Sequence, residues 1–219
     1  MPNPRKEIYF HKGHTMSNIP HTKTLANARG FSSLLSKTLL FGSVIALSMG
    51  IANAAPYAVD KAHSSVGFSL SHMVISEVKG AFNEFDGSID FDPAKKTLTA
   101  LKGEINTKSV DTNNKGRDEH LRKPDFFDVK KFPKATLEMK SIKGKKLTAD
   151  ITIRGITKPV VFDYEVKGPV ENEHSKKQMI AIKLEGKLNR KDFEVGKDTS
   201  NASVGEEVKV SIQIEAQAQ

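Results

Sequence analysis

The feature that most constrains this chain is strict alternation of apolar and polar residues through its C-terminal half. Leu147, Ala149, Ile151 and Ile153 fall on one face, with Thr148, Asp150, Thr152 and Arg154 on the other. Val160, Phe162, Tyr164 and Val166 repeat the pattern against Asp163, Glu165 and Lys167. Ile180, Ile182, Leu184 and Leu188 do so against Lys183, Glu185 and Lys187, and Val208, Val210, Ile212 and Ile214 against Glu207, Lys209, Ser211 and Gln213. A period of two puts alternate side chains on opposite faces of a strand, so each segment is a strand with one wet face. The N-terminal half adds Val66, Phe68, Leu70 and His72, then Phe85, Ile89 and Phe91, then Ala135, Leu137 and Met139. Leu98 to Ile105 shifts its apolar parity midway, as a β-bulge would.

These segments predict eight strands, punctuated by turns at Asp92-Pro93, Lys143-Gly144, Lys158-Pro159 and Gly168-Pro169. Two stretches break the rhythm. Asp111 to Leu121 predicts a short helix opening on Asp or Thr as its N-cap, and Phe193 to Val204 a polar loop. Sequential antiparallel strands with one polar face favour a closed barrel or a sandwich, and only closure removes the exposed edges.

Upstream, Leu39 to Ile51 is a short apolar run behind Arg29 and Lys37, ending in Ala52-Asn53-Ala54. This is the pattern of a secretory signal peptide. It divides the chain into a leader, 1–54, and an exported domain, 55–219, and predicts a periplasmic protein. The polar residues before Arg29 imply a long leader or a later true start, for which Met16 is a candidate. The formal charge of +8 belongs mostly to the leader: the domain holds 28 Lys and Arg against 25 Asp and Glu. Its cations alternate with acids and form no stripe, which argues against nucleic acid as a partner. With no Cys, neither a disulfide nor an N-terminal lipid anchor is available.

An eight-stranded barrel can be filled by side chains or hold one small ligand. The inward positions here are aliphatic or Phe, Gly80, Gly87, Gly155 and Gly186 leave room among them, and Trp is absent. Such a lumen would attract a hydrocarbon-like ligand. Arg117 to Pro133 is mostly charged yet carries Phe126, Phe127 and Phe132. Those rings fit either a lid over an apolar mouth or a satellite core under a long connection.

Other chemistries fit less well. His63 and His72 with Asp60 and Glu77 lack the tight ligand spacing of a zinc site, so no metal is expected. Ser64 and Ser65 directly follow His63 and no nucleophile elbow exists, so no hydrolase is expected. Arg190-Lys191-Asp192 could hold an anionic head group, although an Arg–Asp brace across strands is the commoner outcome. An outer-membrane barrel would need aromatic girdles and a lipid-facing exterior, whereas the second face of the last strand reads Glu207, Lys209, Ser211, Gln213, Glu215. A ligand-free secreted stress-response or interaction module with a filled barrel remains the alternative reading.

Several separated blocks, in order, resemble the YceI-like family: YAVDKAHSSVGFSLSHMVISEVKGAFNEFDGSIDFD, SVDTNNKGRDEHLRKPDFFDVKKFPKATLEMKSI, LTADITIRGITKPVVFDYEV, LNRKDF and EEVKVSIQIEA. Members are secreted, lipocalin-like antiparallel barrels that bind polyisoprenoids or other long-chain amphiphiles. The resemblance implies an eight-stranded lipocalin-like barrel with a short helix and covering loop over a lipid tunnel. It implies a non-enzymatic protein without a cofactor, whose partner is a long-chain isoprenoid or fatty-acid-derived lipid, with no stable membrane insertion and a possible homodimer. His63 and Ser64 fall on the family's D-x-x-H-S, His72 on the following His, Arg117, His120 and Leu121 on R-D-x-H-L, Phe126 and Phe127 on D-F-F, and Arg190 on N-R-x-D-F. The chain departs at Glu194, where Gly usually follows D-F, and at Gly205, where an acidic residue is common. The ligand-binding residues expected on this basis are Phe68, Leu70, His72 and Phe82, then His120, Leu121, Phe126, Phe127 and Phe132, then Ile153, Phe162, Ile182 and Arg190.

Overall fold

The computed structural model describes residues 54–219; the apolar leader run and all but the last residue of Ala52-Asn53-Ala54 lie outside the described residues. Its strands are β1 (Ala55–His72), β2 (Ser76–Phe82), β3 (Phe85–Asp92), β4 (Thr97–Asn106), β5 (Val110–Asp111), β6 (Lys134–Lys143), β7 (Lys146–Ile153), β8 (Ile156–Glu171), β9 (Gln178–Asn189) and β10 (Val204–Ala218). One helix, α1 (Lys115–Leu121), lies between β5 and β6.

Eight antiparallel strands close the ring in the order β1, β10, β9, β8, β7, β6, β4, β3 and back to β1. They are the eight that alternation predicts. β2 and β5 are additional: β2 pairs with Gly67–His72 of β1, and β5 with the last two residues of β2. β2 escaped the pattern because an inward position is Gly80, where a Cβ would collide with the Phe68 ring. β5 has only two residues, too few to show a period.

The parity shift in β4 is a bulge: Asp90 pairs with Ala100 but Phe91 with Leu98, leaving Thr99 extra. Two predicted turns are corrected, because Lys158-Pro159 and Gly168-Pro169 both lie inside β8. Pro159 faces Asp150 of β7, and β9 joins β8 only from Phe162 onward. That is an edge position, where a missing N–H costs no ladder bond. Gly168 and Pro169 together oppose Ile180 in a bulge that Gly168 permits with φ +102°. The helix is capped by Asn114, whose side chain accepts from the Arg117 N–H at 3.0 Å, and not by Asp111 or Thr112.

Burial divides the barrel lengthwise. At one end Tyr57, Phe91, Leu98, Leu147, Ala149, Tyr164, Ile180 and Ala216 pack into a fully buried core. Toward the other end, inward residues of the same strands become only half-buried. In β10, Ala216 and Ile214 are buried while Ile212, Val210 and Val208 are partly accessible; in β9, Ile180, Ile182 and Leu184 are buried and Leu188 is not. Inward side chains that stay accessible face a void.

Candidate functional site: an apolar lumen

The void is a cavity of about 220 Å³. Its wall comes from β1 (Val66, Phe68, Leu70), β10 (Val208, Val210, Ile212), β9 (Leu184, Leu188), β7 (Ile151, Ile153), β4 (Leu101, Ile105) and β6 (Leu137). Drug-sized pockets usually measure about 300–1,000 Å³. A smaller, apolar lumen inside a cylinder of strands suits something slim, such as a single hydrocarbon chain.

One ring on the cavity wall is the fully buried Phe162. Its ring lies over Gly186, its cross-strand partner, where an added Cβ would come within 2.6 Å of the ring. The glycine is what makes room for the ring. Gly80 serves Phe68 in the same way, and Gly155 sits in the β7–β8 turn against Phe132. These three glycines therefore admit rings and do not leave space, which corrects the expectation. Of the cross-strand pair Gly87 and Gly103 on the cavity wall, only Gly103 leaves space: the nearest atom to a Cβ added there is 3.9 Å away, whereas at Gly87 it would come within 2.5 Å of the Lys102 carbonyl oxygen.

The cover is α1 and the loop after it. Leu121, Phe126 and Phe127 line the cavity, and Phe127 meets Phe82 edge-on at 5.5 Å, which in turn meets Phe68 at 5.6 Å. The cover is held down firmly. Asp118 accepts from the Thr112 N–H and hydroxyl, Arg117 donates to the Thr112 hydroxyl and carbonyl, and Arg122 donates to the carbonyls of Lys108 and Val110. From the β7–β8 turn, Arg154 donates to the carbonyls of Pro124 and Phe126. The R-D-x-H-L motif thus works as a clasp.

Arg190 is buried at the cavity edge. Its guanidinium donates to five backbone carbonyls, those of Val195, Gly196, Thr199, Val204 and Gly205. Among the described residues no carboxylate lies within ion-pair distance of it, and Asp192 is not its partner. Burial lowers the guanidinium's pKa, opposed by the charge of Glu206, and the group stays cationic. With every donor engaged, Arg190 knits the loop 194–204 to the barrel and offers no hydrogen bond to a guest. Glu194 there adopts φ +58°, the left-handed conformation for which glycine is suited.

Ten of the thirteen expected ligand-binding residues line the cavity: Phe68, Leu70, Phe82, Leu121, Phe126, Phe127, Ile153, Phe162, Ile182 and Arg190. Three do not. His72 is exposed at the end of β1; His120 turns outward to Asp125 (2.8 Å) and packs on Phe126; Phe132 lies outside the wall, against Gly155 and under Arg154. The lid and satellite-core readings are thus both realised, by different rings. Val66, Ile105, Leu137, Leu188, Val208 and Val210 were passed over, although they share the inward parity of their strands.

The D-x-x-H-S segment builds a bulge. Between Asp60↔Glu215 and Ser65↔Gln213, the residues 61–64 loop out of β1. Asp60 accepts from the Ala62 N–H, and the Ser64 hydroxyl donates to the Asp60 carbonyl and accepts from the Glu215 N–H. His63 Nδ1 lies 2.8 Å from Asp60. Asp60 and Glu215 hold the His63 pKa above the ordinary imidazole value, and His63 holds that of Asp60 below the carboxylate range. Asp60, His63 and Glu215 could each offer one donor atom within 4.8 Å of the others, but His72 and Glu77 are elsewhere, Glu77 being held by Ser69 and Lys209.

Comparison with known proteins agrees with this architecture. Protein YceI of Salmonella agona (strain SL483) is 36% identical over 190 residues, covering 83% of this chain and 97% of that one. The crystal structure of the Campylobacter jejuni YCEI protein superposes with a TM-score of 0.63 at 38% identity, covering 74% of this chain and 98% of that one. A polyisoprenoid binding domain from Saccharophagus degradans, implicated in plant cell wall breakdown, shares the fold with a TM-score of 0.59 at 15% identity, over 76% of this chain and 99% of that one. The profile of the YceI-like domain matches residues 57–216, nearly the whole barrel, and the chain belongs to that family.

Proposed function

We infer that this protein is a non-enzymatic binding protein of the periplasm that holds one long-chain lipid of polyisoprenoid type in its lumen, as carrier or reservoir. The observation that carries the reading is a half-hollow barrel: its inward residues are apolar, they stay accessible around a 220 Å³ cavity, and the buried guanidinium of Arg190 at its edge has no donor to spare. The lumen therefore has affinity for hydrocarbon and none for a head group. The polar end of a guest belongs outside.

Each buried methylene contributes about 0.8 kcal/mol gross, from which the lost freedom of a flexible chain must be subtracted. The polyisoprenoid binding domain of the same fold is consistent with this ligand class. The cavity disfavours the filled-barrel alternative.

Organic extraction and mass spectrometry of the purified protein should find a long-chain lipid near one equivalent. Gly103→Leu places a side chain in the lumen, and binding of a fluorescent long-chain probe should weaken at least about tenfold, or 1.4 kcal/mol, with the fold retained. An empty extract together with unchanged probe binding in this variant would refute the reading.

A further inference from the structure

The barrel is not laced evenly. β1 pairs with β3 only at Ala55–Tyr57 against Phe91–Ile89, and with β2 only from Gly67 onward. Between these, Ala58–Val66 of β1 and Phe85–Ser88 of β3 run alongside without a ladder, and residues 61–64 also drop out of the β1–β10 register. Both banks of this parting border the cavity: Val59 and Val66 on one side, Phe85 and Gly87 on the other. Lys61 Nζ reaches across to Asp86 Oδ2 at 2.7 Å, with both side chains 59% exposed. An ion pair so open to water is weak.

We propose that the guest chain enters and leaves sideways, through the parting between β1 and β3, with Lys61 and Asp86 as a weak latch across it. This rests on the lipid-binding reading and adds the route. Lifting the cover would break the bonds made by Arg117, Arg122 and Arg154 and uncover Phe126 and Phe127 together. Widening the parting breaks no backbone ladder bond and a single exposed pair. A slot along the wall also suits a flexible chain, which can be fed in by its length while its polar end stays in water.

The chain contains no Cys, so thiols can be placed at will. Lys61→Cys with Asp86→Cys, bridged by a short bis-maleimide, should slow both uptake and release of a fluorescent long-chain fatty acid by at least about tenfold, as a locked gate does, with affinity within about twofold. The control is Lys187→Cys with Glu207→Cys, a similar exposed pair (2.9 Å) across the laced β9–β10 wall; bridging there should leave exchange unchanged. Unaltered exchange in the bridged Lys61/Asp86 variant, with binding intact, would overturn the side route and leave the lipid-binding reading standing. Failure of the unsubstituted protein to bind the probe would overturn both.

Discussion

The two ends of the barrel are built from the same strands with the same alternation, yet one is packed solid and the other is hollow. At the packed end Phe91, Leu147 and Ile180 are buried, and Tyr164 crosses the interior to put its hydroxyl 3.4 Å from the Leu98 N–H. At the hollow end Val208, Val210, Leu188 and Ile153 point inward onto space, and order comes from polar fastenings around the rim: Arg190, Arg154 and the Asp118–Thr112–Arg117 clasp. Burial of apolar area holds the first end together. Hydrogen bonds to backbone carbonyls hold the second, where side chains cannot touch across the axis. A barrel can thus keep a cavity in one half because the other half carries the stability.

The sharpest way to break this comparison is to truncate a ring at each end. Phe91→Ala should cost about 3–5 kcal/mol in urea unfolding. Phe68→Ala, whose ring already borders empty space, should cost about 1–2 kcal/mol because fewer contacts are lost; equal costs would erase the distinction. Next, Arg190→Lys replaces a five-donor fork by an ammonium with three donors. The stranded carbonyls should cost about 2–3 kcal/mol, with faster amide exchange confined to residues 190–205.

Glu194→Gly tests the rim from the other side: releasing a left-handed non-glycine residue should stabilise the fold by about 1 kcal/mol. The smallest effect concerns the β1 bulge. His63, with its pKa raised, contributes below the ordinary imidazole pKa and stops as pH rises through its folded value. Asp60, with its pKa lowered, contributes above the ordinary carboxylate pKa and stops as pH falls through its folded value. Protection of the Ala62 amide should therefore peak at about pH 4–6.5, and Asp60→Asn should flatten the profile.

The eight barrel strands were legible because each carries one wet face, and that periodicity is written locally. What escaped depends on partners distant in sequence. Pro159 reads as a turn until β9 is known to start pairing only at Phe162. Three Phe in one loop look alike, and only the placement of Gly155 and Arg154 sends Phe132 outward while Phe126 and Phe127 go in. Arg190 beside Asp192 suggests an ion pair, whereas its partners are carbonyls five to fifteen residues on, and backbone acceptors leave no trace in residue type. The inward wall was implicit in the alternation throughout; that half of it would border a void was not, since parity reports direction and not filling.

The solid packing of Tyr57, Phe91, Leu147 and Tyr164 gives the bore a blind end. A tunnel would let a chain of any length run through, but a stopped bore acts as a gauge: tails up to its depth are sheltered whole, and longer ones trail into the surroundings. Selection by reach then resides in where solid packing begins along the axis.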